Sequence, residues 1–519
     1  MAARTKTNSR ELLPSGDLQD EIGAFGFDYE GWYLSRLRAS LRQTERRRLS
    51  LTFDGGEFSG EQNQTLSRSN ASGPLSETSV AGDQSNRYNN LTFQLHQDGE
   101  QAREVLKFEI ALSDNRSEYE NRQNFTPTAP GLASAYTTSG DTDTRSAEIK
   151  LDFEKPLPDE RFLTLGGSID FGDETIRHQL TPVFGVTPLA YNEIHEGEEQ
   201  TLAAYATFQF DTGDWTWLPG LRAENYSYEI QTSSVSVEDD DLRFFPSLHI
   251  RRALTSRINV DLSYTSRIRR PDLSQLNPTI RFSDVDRASS GNPNLEPTTT
   301  DAFEANFIYQ NSGTSFSVTA FNRISEDVVS FFTETTPEGI IFSRPVNAGE
   351  SNQLGLQAML RGPVGRYWRY SLSGNARNRE FDYLRGGVTT RRSEFEYDGV
   401  LQLTYADTDQ NAVGADQVQV DLRFQGPRYE LQGETDSFLM ANLTWRRKVA
   451  DRLYGVFSVQ DIFDSTDRIS ETRTDSFIER VEFAGQGTRF RLGLTYQFGS
   501  GPQRPPQDQG PPGGGGGPM

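Results

Sequence analysis

Residues 488–499 read TRFRLGLTYQFG, and apolar and polar residues alternate along them without a break. In an extended chain, one face would carry Phe490, Leu492, Leu494, Tyr496 and Phe498, and the other Arg491, Gly493, Thr495 and Gln497. Successive side chains of a strand point to opposite faces, whereas a helix repeats about every 3.6 residues. The alternation therefore predicts a β-strand with one apolar face.

The same alternation recurs along most of the chain, and no segment shows a convincing helical period. The chain is therefore predicted to be all β. About nineteen strands are expected, near residues 31–41, 46–53, 88–96, 104–113, 145–153, 161–171, 200–210, 215–228, 243–252, 257–266, 301–309, 315–324, 352–361, 366–377, 397–406, 416–424, 437–446, 452–460 and 489–498.

The connections between these strands alternate between short and long. The short ones include 97–102, 211–214, 253–256, 310–314, 362–365 and 447–451. The long, polar ones include 55–87, 114–144, 172–199, 267–300, 325–351 and 461–488. Short periplasmic turns and long extracellular loops are typical of an antiparallel transmembrane β-barrel. A soluble sandwich has no reason to segregate its loops by length.

Aromatic residues flank the short turns. They are Trp215, Trp217, Phe307, Tyr309, Phe316, Trp368, Trp445 and Tyr454. In an outer-membrane barrel such residues form a girdle at one membrane interface. The alternative is that they are ordinary strand-end aromatics of a soluble β protein.

Composition limits the partners. The 519 residues include 52 basic and 74 acidic ones, for a net charge of −22, and no cysteine. A nucleic-acid partner is not expected, because binding phosphates needs a basic surface. The absence of cysteine excludes disulfides and thiolate-ligated metals. No apolar run approaches the length of a transmembrane helix.

Three segments are expected along the chain. Residues 1–30 are interpreted as an N-terminal segment, the end of a preceding loop or strand, and they lack the apolar core of a signal peptide. Residues 31–498 form the barrel, and the Pro/Gly-rich residues 499–519 form a disordered tail. With nineteen strands, the first and last run in the same direction and cannot pair antiparallel. Either strands are missing or the count is off by one; we expect the barrel to be incomplete, with its natural start upstream of Met1.

Several segments together resemble the barrel of TonB-dependent outer-membrane receptors, in the branch called the outer membrane protein beta-barrel family. They are FFPSLHIRRALTSRINVDLSYTSRIRRPDLSQLNP from Phe244, GNPNLEPTTTDAFEANF from Gly291, EEQTLAAYATFQ from Glu198, PGLRAE at 219–224, NAGESNQLGLQ from Asn347, SVQDIFD at 458–464 and TRFRLGLTYQFG from Thr488. The resemblance covers residues 195–499. Residues 30–195 agree only in architecture.

The resemblance implies a barrel of about twenty-two strands when complete, located in the cell outer membrane, with an N-terminal plug domain that this chain does not show. It implies capture of a scarce ligand, such as a ferric siderophore or another metal chelate, in extracellular loops, and energy-coupled import through TonB. Outer-membrane lipid and the barrel-assembly machinery are further implied partners. The alternatives are a passive porin or adhesin-like barrel and a secreted carbohydrate-binding β protein.

The candidate ligand residues are Arg267, Arg269 and Arg270, which would form a basic rim or lumen patch for an anionic ligand or the plug. The alternative is that this stretch serves loop geometry. Pro271 lacks the N–H that a ladder needs, and the GNPNLEP motif at 291–297 is rich in turn-forming residues.

No catalytic constellation is evident, and the protein is not expected to be an enzyme. The histidines His96, His178, His195 and His249 are scattered without paired spacing, so no metal site is predicted. No phosphate-binding loop or nucleophile motif occurs, and no cofactor is expected. Acidic runs such as Glu238 to Asp241 could bind calcium, but they are interpreted as solvated loop charges.

Overall fold

The computed structural model describes residues 4–12, 17–70, 72–127, 133–185, 190–233, 235–284, 286–385, 388–410, 412–483, 485 and 487–497. The predicted disordered tail at 499–519 lies outside these residues. Within them the chain is almost entirely β-strand. The helical content of the described residues is one short turn, and no helix among them is long and apolar enough to cross a membrane.

The elements follow one another in this order: β1 Arg4–Leu12, β2 Asp17–Thr44, β3 Arg47–Asn70, β4 Gly73–Asp98, β5 Val105–Pro127, β6 Ser134–Pro156, β7 Phe162–Phe184, β8 Tyr191–Thr212, β9 Trp215–Thr232, β10 Ser236–Thr255, β11 Ile258–Arg269, α1 Leu273–Leu276, β12 Arg281–Asp284, β13 Arg287–Ser289, β14 Thr298–Asn311, β15 Thr314–Glu326, β16 Val329–Thr335, β17 Ile341–Asn347, β18 Gly349–Val364, β19 Trp368–Arg385, β20 Val388–Ala406, β21 Asp416–Gln425, β22 Arg428–Glu430, β23 Gly433–Thr435, β24 Phe438–Ala450, β25 Leu453–Gln460, β26 Arg468–Arg473, β27 Phe477–Phe483 and β28 Arg489–Tyr496.

Nineteen strands make the antiparallel sheet of the barrel, which confirms the predicted fold class and strand count. They are β2–β11, β14, β15, β18–β21, β24, β25 and β28. Each pairs with the next along the chain, so the sheet is a simple meander. The remaining strands lie at the N-terminus or within the loops.

The two faces of the sheet differ as the alternation predicts. Ile110, Ile149, Ile169 and Leu202 stand opposite one another on β5 to β8 and form an apolar row on the outer face. The neighbouring row on the inner face contains Glu109, Lys150 and Ser168. An outward apolar band around a polar interior is the arrangement that a bilayer requires of a spanning barrel.

The short turns are confirmed, but several predicted long loops are mostly strand. Residues 55–87, 114–144 and 172–199 lie largely within the hairpins β3–β4, β5–β6 and β7–β8. Outside the hydrocarbon a strand needs no apolar face, so the backbone ladder continues while the hydrophobic alternation stops. Their polar composition marks where the membrane ends and gives no sign of where the strand ends.

The aromatic girdle is present at the short-turn end, with one correction. Trp368 packs edge-to-face against Tyr405 at 5.3 Å between ring centroids, and Trp445 is exposed on the outer face. Tyr454 was predicted to join the girdle, but it is buried beneath the guanidinium of Arg446, 4.0 Å from its ring centroid. The bulge between Lys448 and Ala450 shifts the register at this turn.

β2 and β28 run in the same direction at the two ends of the meander, as the parity of the strand count predicts. Among the described residues no ladder joins them. At the extracellular end β1 pairs with β2 on one side and with β27 on the other. β1 thus joins the first strand of the meander to the loop strand that precedes β28.

Extracellular loops fold together over the barrel mouth. A small sheet in the order β12, β13, β17 and β16 combines the loop after β11 with the loop after β15. β13 and β17 pair in parallel. Parallel pairing is possible here because the two strands belong to loops of different hairpins and are not joined by a tight turn. We refer to this four-stranded sheet as the cap.

Candidate functional site

The predicted arginines make different contacts. Arg267 and Arg269 are exposed on β11, opposite Thr300 and Thr298 of β14. They share a strand face with Asp261, which pairs with Arg251 at 2.6 Å across the inner wall. Arg270 comes after the strand ends and makes different contacts.

Arg270 is held by the barrel wall. Its Nη1 donates to Oε2 of Glu224 on β9 at 2.8 Å, and its guanidinium lies 4.5 Å from the ring centroid of Tyr226. Glu224 is 8% exposed and also accepts from Arg222 at 2.6 Å. These contacts anchor the start of the loop that leads to α1 and the cap.

The GNPNLEP motif serves loop geometry, as the alternative interpretation proposes. The N–H of Gly291 donates to the carbonyl of Asn277 at 2.7 Å, and the N–H of Asn292 donates to that of Gln275 at 2.7 Å. A Cβ on Gly291 would lie 2.4 Å from the Gln275 carbonyl oxygen, so only glycine allows this approach. The motif packs the loop against the end of α1.

Six polar side chains meet on the inner wall near the mouth. They are Tyr119, Glu174, His178, Tyr191, His195 and Arg281. We refer to them as the mouth cluster. Five come from the wall strands β5, β7 and β8, and Arg281 comes from β12 of the cap. Membrane-crossing strands need about 9–11 residues counted from the short turns, so the cluster lies beyond the membrane on the extracellular side.

Strand pairing brings the wall residues together. Tyr119, Gly140 and His178 stand in one row across β5, β6 and β7, and the hydroxyl of Tyr119 lies 2.9 Å from Nδ1 of His178. A Cβ on Gly140 would lie 2.7 Å from that nitrogen, so glycine makes room for the contact. His195 stands opposite Ile176, diagonal to His178.

Burial and Arg281 keep both imidazoles neutral at physiological pH. Desolvation, reinforced by the positive charge of Arg281, lowers the pKa of His178 to about 4 and that of His195 to about 4. Desolvation also raises the pKa of the Glu174 carboxyl, against the opposing effect of Arg281. The cluster therefore presents neutral imidazole nitrogens beside a guanidinium.

Several polar atoms of the cluster have no hydrogen-bond partner among the described residues. They are Oε1 of Glu174, Nε2 of His178, and both ring nitrogens of His195. Nε2 of His195 is 3.9 Å from Oε1 of Glu174, beyond hydrogen-bonding distance. Arg281, half-buried, likewise makes no hydrogen bond or ion pair with a described side chain.

The helix α1 and the loop around it cover this part of the wall. Leu273 lies over Gly197 beside His195, and Leu273 and Leu276 pack with Ile230 and Leu295 in a small apolar core. A cavity of about 790 Å³ reaches from Glu174 to Arg270 alongside the same turn. His195 and Glu174 thus lie on a part of the wall that this loop segment covers.

The tip of the cap hairpin contacts two strands that lie near the ends of the meander. Asp286 accepts two hydrogen bonds from Arg68 of β3, at 3.2 and 3.0 Å. The next residue, Arg287, forms an ion pair with Glu479 of β27. We refer to these two pairs as the clasp. They tie the cap to strands adjacent to β2 on one side and leading into β28 on the other.

We expect Asp286→Asn to loosen the cap, because hydrogen bonds to charged groups contribute about 1.5–3 kcal/mol. The measurement is limited proteolysis or hydrogen exchange of residues 281–289 in the folded protein. Asp382→Asn, which removes an exposed pair with Arg391 on β20, is the control and should leave the cap unchanged. Equal protection of the cap in wild type and Asp286→Asn would show that the clasp does not hold it.

Sequence reasoning missed the mouth cluster. His178 and His195 were interpreted as scattered, yet they lie diagonally on neighbouring strands. The interval between two residues of a hairpin does not reveal their contact until the turn and register are known. No group of three His, Cys, Asp or Glu residues in the described ranges is arranged to hold a metal ion.

A family model described as outer membrane protein beta-barrel family matches residues 94–496, which is more than half of the chain. No curated protein shows a significant sequence match.

Solved structures of outer-membrane receptors share the fold. The ferric yersiniabactin uptake receptor FyuA from Yersinia pestis aligns with a TM-score of 0.53 and 11% identity, over 96% of this chain and 80% of that one. The copper transporter OprC gives 0.56 and 10% identity, over 93% and 80%. The ferripyoverdine receptor of Pseudomonas aeruginosa gives 0.54 and 13% identity, over 93% and 72%. These neighbours are transport proteins of the receptor type, and the alternation, the barrel sheet and the family match agree: the chain belongs to the outer membrane protein beta-barrel family.

Proposed function

We propose that this chain is the barrel of an energy-coupled outer-membrane receptor that captures a scarce metal chelate, such as a ferric siderophore, at its extracellular mouth. Import would be driven by TonB through a plug domain. The similar structures include receptors named for ferric yersiniabactin and ferripyoverdine, and a copper transporter. The barrel would perform no bond chemistry.

The observation that carries the proposal is Arg281. Its guanidinium is half-buried in the mouth cluster, on a loop strand, and has no ion-pair partner among the described residues. A desolvated cation is costly unless something pairs with it. An anionic chelate would supply that pairing, and the hydroxyls of Tyr119 and Tyr191 could add hydrogen bonds.

The cap favours a receptor over a passive pore. Its strands lie across the mouth and are tied to the wall by the clasp. The N–H of Thr333 in the cap also donates a hydrogen bond to the side-chain Oε1 of Gln432 at 2.6 Å. A pore would need an open mouth, whereas a receptor needs loops that contact its ligand.

We expect Arg281→Gln to weaken chelate binding about tenfold or more, because a charge-assisted hydrogen bond contributes about 1.5–3 kcal/mol. The measurement is tryptophan-fluorescence titration of the folded protein with two anionic ferric probes, a carboxylate chelate (ferric dicitrate) and a tricatecholate (ferric enterobactin). Arg423→Gln, at an exposed arginine of β21, is the control.

If at least one probe binds and Arg281→Gln weakens it while Arg423→Gln does not, the proposal is supported. Equal affinity of Arg281→Gln and wild type would remove Arg281 from the site. Ion conductance through the protein in planar bilayers, without binding of either probe, would favour the passive pore.

A further inference from the structure

The mouth cluster contains four buried polar atoms that have no hydrogen-bond partner among the described residues, three imidazole nitrogens and one carboxylate oxygen. His195 is only 1% exposed, yet neither of its ring nitrogens has a hydrogen bond within the described residues. Nε2 of His178 and Oε1 of Glu174 are in the same condition. A buried polar group without a hydrogen-bond partner is destabilising, so the arrangement suits a ligand that would satisfy these atoms together.

The donor set indicates what that ligand contains. A neutral imidazole offers one lone-pair nitrogen, and a carboxylate offers only acceptor oxygens. Imidazole nitrogens favour Cu²⁺, Ni²⁺ and Zn²⁺, whereas hard oxygen donors favour ions such as Mg²⁺ and Ca²⁺. His178 and His195 therefore match a divalent transition metal.

A bare metal ion does not fit this site. The guanidinium of Arg281 lies in the same cluster and would repel a free cation. The protein also lacks, among the described side chains, a third suitably placed ligand. A metal that arrives with its own anionic chelator resolves both problems, because the chelator supplies the missing ligands and its negative charge pairs with Arg281.

We propose that His178 and His195 bind directly to the metal of the incoming chelate. The receptor would then select chelates of divalent transition metals that have open coordination positions. Chelates whose metal is already saturated would be bound less well. This inference rests on the proposed function and specifies its substrate class: an anionic chelate bound by Arg281 at its chelator and by imidazole at its metal.

The burial of His195 implies that a loop must move before the metal can reach it. Leu273 of α1 lies beside it, in a loop that begins at Arg270 and leads into the cap. A chelate would have to displace this loop to reach the imidazole, so metal ligation would be coupled to movement of the cap.

The test uses the untagged full chain and Ni²⁺–nitrilotriacetate, an anionic chelate with open coordination positions, measured by isothermal titration calorimetry. We expect binding in wild type and at least tenfold weaker binding in His178→Ala and His195→Ala. His249→Ala, at an exposed histidine of β10, should bind like wild type. Ferric enterobactin, an anionic chelate whose metal is saturated, should bind at least tenfold more weakly than the nickel chelate.

A spectroscopic measurement on the wild-type protein avoids the risk that a variant fails to fold. With Cu²⁺–nitrilotriacetate, labelling the histidines with nitrogen-15 should alter the electron paramagnetic resonance splitting. An unaltered splitting, or equal nickel-chelate binding in wild type and both histidine variants, would overturn the proposal and leave water as the partner of these nitrogens. If Arg281→Gln still weakens ferric-chelate binding in that case, the receptor function stands and only the metal-ligation step fails.

Discussion

Leu151→Arg and Leu492→Arg are each expected to prevent most of the protein molecules from assembling into the outer membrane. Both leucines point outward, and Leu492 is 86% exposed. A basic residue near the bilayer midplane of a β-barrel costs about 2–4 kcal/mol. The measurement is the urea dependence of folding into lipid vesicles, with the folded fraction determined from the shifted band on unheated gels.

Thr495→Arg is the matched control, because residue 495 lies on the opposite face of the same strand. It should fold with a smaller loss of stability than Leu492→Arg. Equal sensitivity at the two faces would contradict the assignment of an outer, lipid-facing side. Leu151 adds a second test on β6, which is paired on both sides.

The strand count and the faces could be predicted because membrane strands follow a local rule. Each of the nineteen barrel strands carries its own alternation near a short turn, and no information from elsewhere in the chain is needed to recognise it. The extracellular halves of the hairpins escaped prediction because there the ladder is stabilised by backbone pairing, and side-chain hydropathy no longer has to alternate.

The mouth cluster could not be predicted for a different reason. Tyr119, His178 and His195 lie on three strands whose register is set by their turns, and Arg281 joins them only because the loop after β11 folds inward. None of these residues has a local signature. The RIRRP stretch at 267–271 has a local signature, three arginines close together, but the sequence does not show that Arg270 contacts Glu224 and Tyr226 of β9.

Arg270 illustrates the difference between a charged motif and a charged site. It was predicted to contribute to a ligand-binding patch with Arg267 and Arg269, and that role stays a proposal. The structure gives it wall contacts with Glu224 and Tyr226. These contacts suggest that it anchors the loop, and the consequence of removing its partner can be measured.

Glu224→Ala is expected to destabilise the packing of the loop at 270–297 against the wall by about 3 kcal/mol. Breaking a buried ion pair by removing one partner costs about 3–5 kcal/mol, since an uncompensated charge remains. The lower end applies because the Arg270 side chain keeps 16% exposure. Hydrogen exchange of residues 270–297 measures the effect. Glu394→Ala, which removes a half-exposed ion pair with Arg392, is the control. It should reduce the stability of the folded protein by about 1 kcal/mol or less.

The double variant Glu224→Ala with Arg270→Gln separates the two roles of Arg270. If Arg270 is a loop anchor, removing its charge as well relieves the unpaired cation, and part of the lost protection should return. Across wild type, Glu224→Ala and the double variant, the affinity for the chelate should then rise and fall with the protection of the loop. If protection at 270–297 is the same in wild type and Glu224→Ala while Arg270→Gln alone abolishes chelate binding, the anchor interpretation fails and Arg270 belongs to the ligand site. The two outcomes differ because an anchor acts through the position of the loop, whereas a ligand-binding charge acts with the loop unchanged.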